Sequence, residues 1–194
     1  MNNDLIRKAE EYIQVLFEGN SDGHGIDHSL RVLTNAMEIA REEPGADLEL
    51  VALASLLHDA DDHKLTDTKD NANARDFLKE NNVDDDRIEL ILSIINSVSF
   101  SKNRGKIPDT IEGKIVQDAD RLDAMGAVGI ARTFAYGGKN GRSVDDSIGH
   151  FHDKLLLLKD GLNTKTARKM AEERHEFMLE FLSHYDSETG SPES

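Results

Sequence analysis

Cysteine and tryptophan are absent, proline occurs only three times, and aromatic residues make up 5% of the 194-residue chain. Without cysteine there is no disulfide framework and no thiolate metal site, so a metal would have to be held by imidazole and carboxylate. No apolar run approaches the ~20 residues needed to span a bilayer. Residues 1–7 lack the charged-then-apolar pattern of a secretory leader. The expectation is a cytoplasmic protein that does not engage a membrane. Positive charge is also scarce, with 23 Lys and Arg against 38 Asp and Glu and a net charge of −15. That balance argues against non-specific binding to duplex nucleic acid, which relies on a broad basic surface. A small anionic ligand remains compatible, provided that a metal and a few basic side chains supply positive charge locally.

Apolar residues recur at helical spacing along almost the whole chain, and no convincing alternating strand is present. Leu5, Ala9, Tyr12, Ile13 and Phe17 mark a first helix. Leu30, Leu33, Ala36, Met37 and Ala40 mark a second over 28–41, stopped by Pro44 and Gly45. Asp47 is placed to cap a third, apolar helix that ends near His58. Further helices are predicted over 67–81, 83–97, 109–125, 145–159 and 164–185. The small residues of 124–131 suit close helix packing. The tail 186–194 is polar and expected to be disordered. The fold class is all-α, an irregular helical bundle forming one domain over 1–185, as the length favours. A monomer or a homodimer fits, because the apolar stripe of the long last helix serves a core or a dimer equally.

The most informative local feature is His58-Asp59, which closes the apolar run VALASLL at 51–57 and is followed by Asp61, Asp62 and His63. A dipeptide of this kind arises by chance, and His152-Asp153 is a second one that reads as the polar face of a helix. His58-Asp59 gains weight from partners on other helices. His28 lies about one helical hairpin upstream, with His24 four residues before it and on the same face if the helix begins early enough. Taken alone, His28 also fits an ordinary surface or satisfied core histidine. Asp118, Asp120 and Asp123 fall within six residues among Ile115, Val116, Ala119 and Leu122. A carboxylate in a packed helix is expensive to bury unless it is paired or bound to metal. A surface stripe with Arg121 as local partner is the plain alternative; Asp120, which directly follows Ala119 on a helix that must contribute to the core, is the choice for a ligand completing a set with His28, His58 and Asp59. Two imidazoles and two carboxylates suit one divalent ion, with Mn first and Mg, Fe, Co, Ni or Zn as alternatives. Asp62, four residues after His58, is placed for general acid–base work on water, and Asp61 has the less favourable phase. A solvated acidic helix end explains the same pair equally well.

Phosphate recognition would fall to few residues. Lys102, Arg104 and Lys106 stand in the basic loop at 100–107, Arg31 follows His28 by three, and Lys64 follows the acidic cluster. His24 joins them as a substrate-binding candidate, and His150 and Lys154 are candidates for one wall of a pocket. Each also has a plain reading as a solubilising or charge-balancing side chain. No Gly-rich loop with Lys-Ser/Thr is present, which argues against a P-loop nucleotidase.

The series His28, His58-Asp59, Asp120 resembles the H…HD…D signature of the HD-domain metal-dependent phosphohydrolases, over roughly residues 20–185. The stretch VQDADRLDAMGAVGIAR at 116–132 is especially similar to a bacterial and archaeal branch of small HD hydrolases associated with nucleoside triphosphate pyrophosphohydrolase activity. The resemblance implies metal ligands at His28, His58, Asp59 and Asp120, and a catalytic acid/base at Asp62. It implies a metal-dependent phosphohydrolase of nucleotides, converting a triphosphate to monophosphate and pyrophosphate. The alternatives are a phosphomonoesterase of nucleoside monophosphates and a non-catalytic nucleotide sensor. Two-metal members of the superfamily carry further histidines between the HD pair and the last Asp. Residues 64–119 contain none here, so one metal is expected.

Overall fold

The computed structural model describes residues 2–18, 25–62, 66–98 and 106–190. Among them the regular structure is entirely helical. In chain order it comprises α1 (Asn3–Leu16), α2 (Ile26–Glu42), α3 (Leu48–Leu57), α4 (Ala72–Glu80), α5 (Asp85–Val98), α6 (Ile111–Asp123), α7 (Gly126–Lys139), α8 (Val144–His150) and α9 (Lys165–Thr189). No described helix is long and apolar enough to cross a membrane.

The arrangement is built around α3. Asp47 starts it by accepting the N–H groups of Glu49 and Leu50 at 2.9 and 3.1 Å, which satisfies donors that a helix start leaves open. Every residue from Leu50 to Leu57 is buried. A helix apolar on all sides belongs at the centre of a bundle, and α1, α2, α5 and α6 pack around this one. α2 packs extensively on both α3 and α6. The consequence for function is positional: the chain leaving α3 emerges inside the molecule, between α2 and α6.

Three sequence expectations need correction. The helix expected over 67–81 begins only at Ala72, because Asp70 and Asn71 turn through positive φ (both 58°) just before it. The helix expected over 145–159 is not uniform: α8 passes into a π-helical turn (Phe151–Leu155) and then a 3-10 turn (Leu156–Gly161). The last helix continues past Tyr185 to Thr189, where Gly190 at φ 71° closes it. Residues 186–189 are therefore helical, against the expectation of disorder from 186. The small-residue stretch after α6 makes the turn into α7. Gly126 sits there at φ 67°, and a Cβ on Gly129 would lie 2.3 Å from the Ala124 carbonyl oxygen.

Two buried polar anchors fix α9 against this core. Asp118 of α6 is fully buried and accepts four donors: the backbone N–H groups of Asn163 and Thr164, the Asn163 amide and the Thr164 hydroxyl, at 2.7–3.1 Å. Further along, Arg174 donates to the Leu122 carbonyl at 2.6 Å and to Asn35 of α2 at 2.8 Å. Asp118→Ala removes the acceptor of the buried Thr164 N–H and hydroxyl and of the part-buried Asn163 N–H and amide, the amide keeping its bond to Gln117. It is expected to destabilise the fold by about 3 kcal/mol, read as a lower urea midpoint, with Asp118→Asn losing less.

Candidate metal centre

The α2–α3–α6 trio brings four of the expected residues together. His28 comes from the first turn of α2, His58 and Asp59 from the end of α3, and Asp120 from the last turn of α6. His28 Nε2 lies 3.3 Å from His58 Nε2, 3.4 Å from an Asp120 carboxylate oxygen and 3.6 Å from an Asp59 oxygen. The same Asp59 oxygen is 3.4 Å from His58 Nε2. Neighbouring side chains on a regular helix diverge by roughly 100°. His58 and Asp59 converge because α3 ends under them in a turn, with Ala60 N–H donating to the Leu57 carbonyl and Asp62 N–H to that of Asp59, each at 3.0 Å. His152-Asp153, by contrast, is exposed to solvent.

The outer nitrogens of both imidazoles are committed. His58 Nδ1 sits 2.8 Å from the Ser55 carbonyl oxygen, an acceptor only, so this nitrogen carries the proton. His28 Nδ1 sits 2.7 Å from Asp123 Oδ2 and donates to that carboxylate. Both Nε2 lone pairs are thereby turned inward, and two acceptors cannot share a 3.3 Å contact without a positive charge between or on them. A carboxylate-histidine arrangement of this kind orients a metal-ligating imidazole and raises its basicity. His28, His58 and Asp120 each offer a ligand atom within 4.8 Å of the others, with an Asp59 oxygen 3.4–3.6 Å from the two imidazoles, and such a donor set fits a divalent cation of the Mn-to-Zn group.

Asp123 is the residue that the sequence left without a role. It is 1% exposed and is held by Arg31 through two hydrogen bonds (2.6 and 3.1 Å) and by Arg132. These guanidinium groups and His28 keep its carboxyl far below the usual carboxylate range despite burial. Its signal in the sequence was spacing: three residues after Asp120, it shares that residue's helical face. Arg31, expected at substrate, has its guanidinium on Asp123 instead.

Asp61 is turned onto α4. Its carboxylate accepts the N–H groups of Asn73 and Ala74 at 2.9 and 3.2 Å, capping that helix. Asp62 lies in the turn after α3, its carbonyl accepting the Thr66 N–H at 2.9 Å. Lys154 lines a cavity on another flank of α6. The expectations for His24, His63, Lys64, Lys102 and Arg104 fall outside the described residues.

An all-helical fold with a His–His–Asp group able to hold a metal defines a class, the helical scaffolds with an imidazole–carboxylate metal site. The comparison with known proteins makes the class specific: this chain belongs to the HD-domain family, whose model matches residues 25–125. YpgQ of Bacillus subtilis is 42% identical, with 94% of each protein covered. The crystal structure of YpgQ in complex with ADP superposes with a TM-score of 0.81 at 39% identity, covering 94% of this chain and 97% of that one. An HD-superfamily hydrolase from Bacillus thuringiensis superposes with a TM-score of 0.81 at 36% identity, covering 99% of this chain and all of that one.

Burial disfavours charge on His28, but hydrogen bonds to Asp120 and Asp123 and the charge of Asp59 outweigh it. They raise its pKa from 6.5 to about 9. A raised pKa means that the metal-free fold is stabilised by protonated His28 fully below pH 6.5, and that this contribution is lost as pH rises through about 9. Metal must displace that proton, so affinity runs the other way. In calorimetric Mn²⁺ titrations of stripped protein, affinity is expected to fall about tenfold per pH unit below His28's pKa, with about one proton released per ion. Asp123→Ala is expected to weaken binding about 10- to 100-fold. Unchanged affinity in that variant would remove Asp123 from the metal centre.

Proposed function

We propose that the protein is a metal-dependent phosphohydrolase acting on nucleotides, releasing pyrophosphate from a nucleoside triphosphate to leave the monophosphate. The observation that carries the reading is the inward-facing Nε2 pair of His28 and His58 flanked by Asp59 and Asp120. Such a set has no structural use that a metal-free core would need. The ADP bound in the YpgQ crystal structure supports a nucleotide as the ligand class.

In this reading His28, His58, Asp59 and Asp120 hold one divalent ion, with Mn the first choice. When bound, the ion supplies Lewis acidity toward a phosphoryl oxygen and lowers the pKa of water. The chain does the rest. Asp123, backed by Arg31 and Arg132, keeps the His28 proton on Nδ1 and the ring in place, and Ser55 does the same for His58. Asp59 and Asp120 leave the cluster partly open, their side chains being 15% and 26% exposed, so substrate has a way in. Asp62, four residues beyond His58, takes a proton from the attacking water or gives one to the leaving oxygen.

The test is product identification with stripped protein given Mn²⁺ and a panel of nucleoside mono- and triphosphates. Pyrophosphate is expected from triphosphates, abolished in Asp59→Ala and reduced about 10²- to 10⁴-fold in Asp62→Asn with Mn²⁺ still bound. Orthophosphate from monophosphates alone would move the activity to a phosphomonoesterase. Full turnover in Asp62→Asn would remove that residue from proton transfer.

A further inference from the structure

A cavity of about 610 Å³ lies along another flank of α6, lined by none of the four cluster residues. Its charge is the reverse of the chain's. Lys106, Lys114, Arg121, Lys154 and Arg168 line it against two carboxylates, Asp153 and Asp160, in a protein of net charge −15. Arg121 is the informative member. It is 8% exposed, yet its hydrogen-bond partner is the Gly161 carbonyl, not a carboxylate. Arg168 likewise donates to carbonyls, those of Leu162 (3.0 Å) and Asn163 (3.3 Å). Among the described residues, Lys106, Lys114, Arg121 and Arg168 form no ion pair.

Asp118 and Asp120 offset the charge of Arg121 at a distance, but of the five N–H donors of its guanidinium only one is taken up among the described residues, by the Gly161 carbonyl. The segment that it touches is itself held rigidly, since Asp118 grips the neighbouring Asn163 and Thr164. The wall is therefore organised in advance, with donors to spare. Leu157 and Ile107, 59% and 70% exposed, add apolar surface to the lining.

We propose that this cavity is a binding subsite for a phosphate-bearing anion, with Arg121 as its central contact and Lys106 and Lys114 beside it. Several cations around one fork-shaped guanidinium match a polyvalent phosphate better than a single carboxylate. The volume is that of a nucleotide-sized ligand. Arg121 follows Asp120 directly on α6, so the cavity and the metal cluster occupy adjoining faces of one helix. The phosphate belongs either to the part of the substrate away from the metal or to a separate ligand.

The probe is inorganic pyrophosphate, titrated calorimetrically into Asp59→Ala protein in excess EDTA, where no metal can bind it. Saturable binding is expected, weakening as salt rises. It should fall at least about tenfold in the Lys106→Ala/Lys114→Ala double variant and in Arg121→Gln. The double variant changes side chains that are not fully buried and so guards against misfolding of Arg121→Gln. No saturable binding, or binding unchanged in the double variant, overturns the proposal. This readout needs no turnover, so it stands apart from the fate of the hydrolase reading. The same double variant in metal-loaded protein identifies the source. A raised KM for the nucleotide assigns the phosphate to the substrate, and an unchanged KM assigns it to a separate ligand.

Discussion

Two imidazole nitrogens face one another at 3.3 Å, and each ring commits its other nitrogen's N–H to a hydrogen bond, His28 to Asp123 and His58 to the Ser55 carbonyl. Lone pair against lone pair is repulsive, so this contact needs positive charge. A proton on His28 supplies it when no metal is bound; against the cost of burial, hydrogen bonds to Asp120 and Asp123 and the nearby charge of Asp59 raise its pKa to about 9. A divalent ion can supply it as well, because Asp120 and Asp59 each place a carboxylate oxygen within 3.6 Å of His28 Nε2. Much of the surrounding structure serves to keep this contact from relaxing.

That service is distributed over the fold. α3 is buried on every side, so its final turn can deliver His58 and Asp59 to the interior. Asp123 is a buried anion whose compensation comes from three directions, Arg31 and His28 on α2 and Arg132 on α7. Removing one member of such a network leaves the others as uncompensated buried charge. Asp118 plays a separate role on the same helix: it ties α6 to the start of α9 through four donors. A single 13-residue helix, α6, thus carries one carboxylate beside the facing imidazoles, one that holds His28 and one that holds the fold.

How much of this was legible in the sequence depended on the physics behind each signal. Helical periodicity and the Asp47 cap exposed the all-α class and the end of α3 near His58. The pairing of His58-Asp59 with His28 and Asp120 was legible because buried ionisable residues at element ends are conspicuous. The partition of the three carboxylates of α6 was not legible, because it depends on which neighbour each one meets: Asn163 and Thr164 for Asp118, Arg31 and Arg132 for Asp123. Arg31 carries the residue type of a phosphate contact and Asp61 that of an acid–base group. Both are occupied by partners, Asp123 (92 residues away) and the start of α4, that no local pattern specifies. The π and 3-10 turns after α8 were equally hidden, since the apolar spacing of 145–159 reads as one continuous helix.

The central claim is that the facing Nε2 pair is a metal site and not a proton-bridged histidine pair. The most direct measurement is an anomalous difference map from crystals grown with Mn²⁺. The account predicts a single strong peak within bonding distance of His28 Nε2, His58 Nε2 and the carboxylates of Asp59 and Asp120. A map with no peak there, or with one held by other side chains while the two rings keep their 3.3 Å contact, would contradict it.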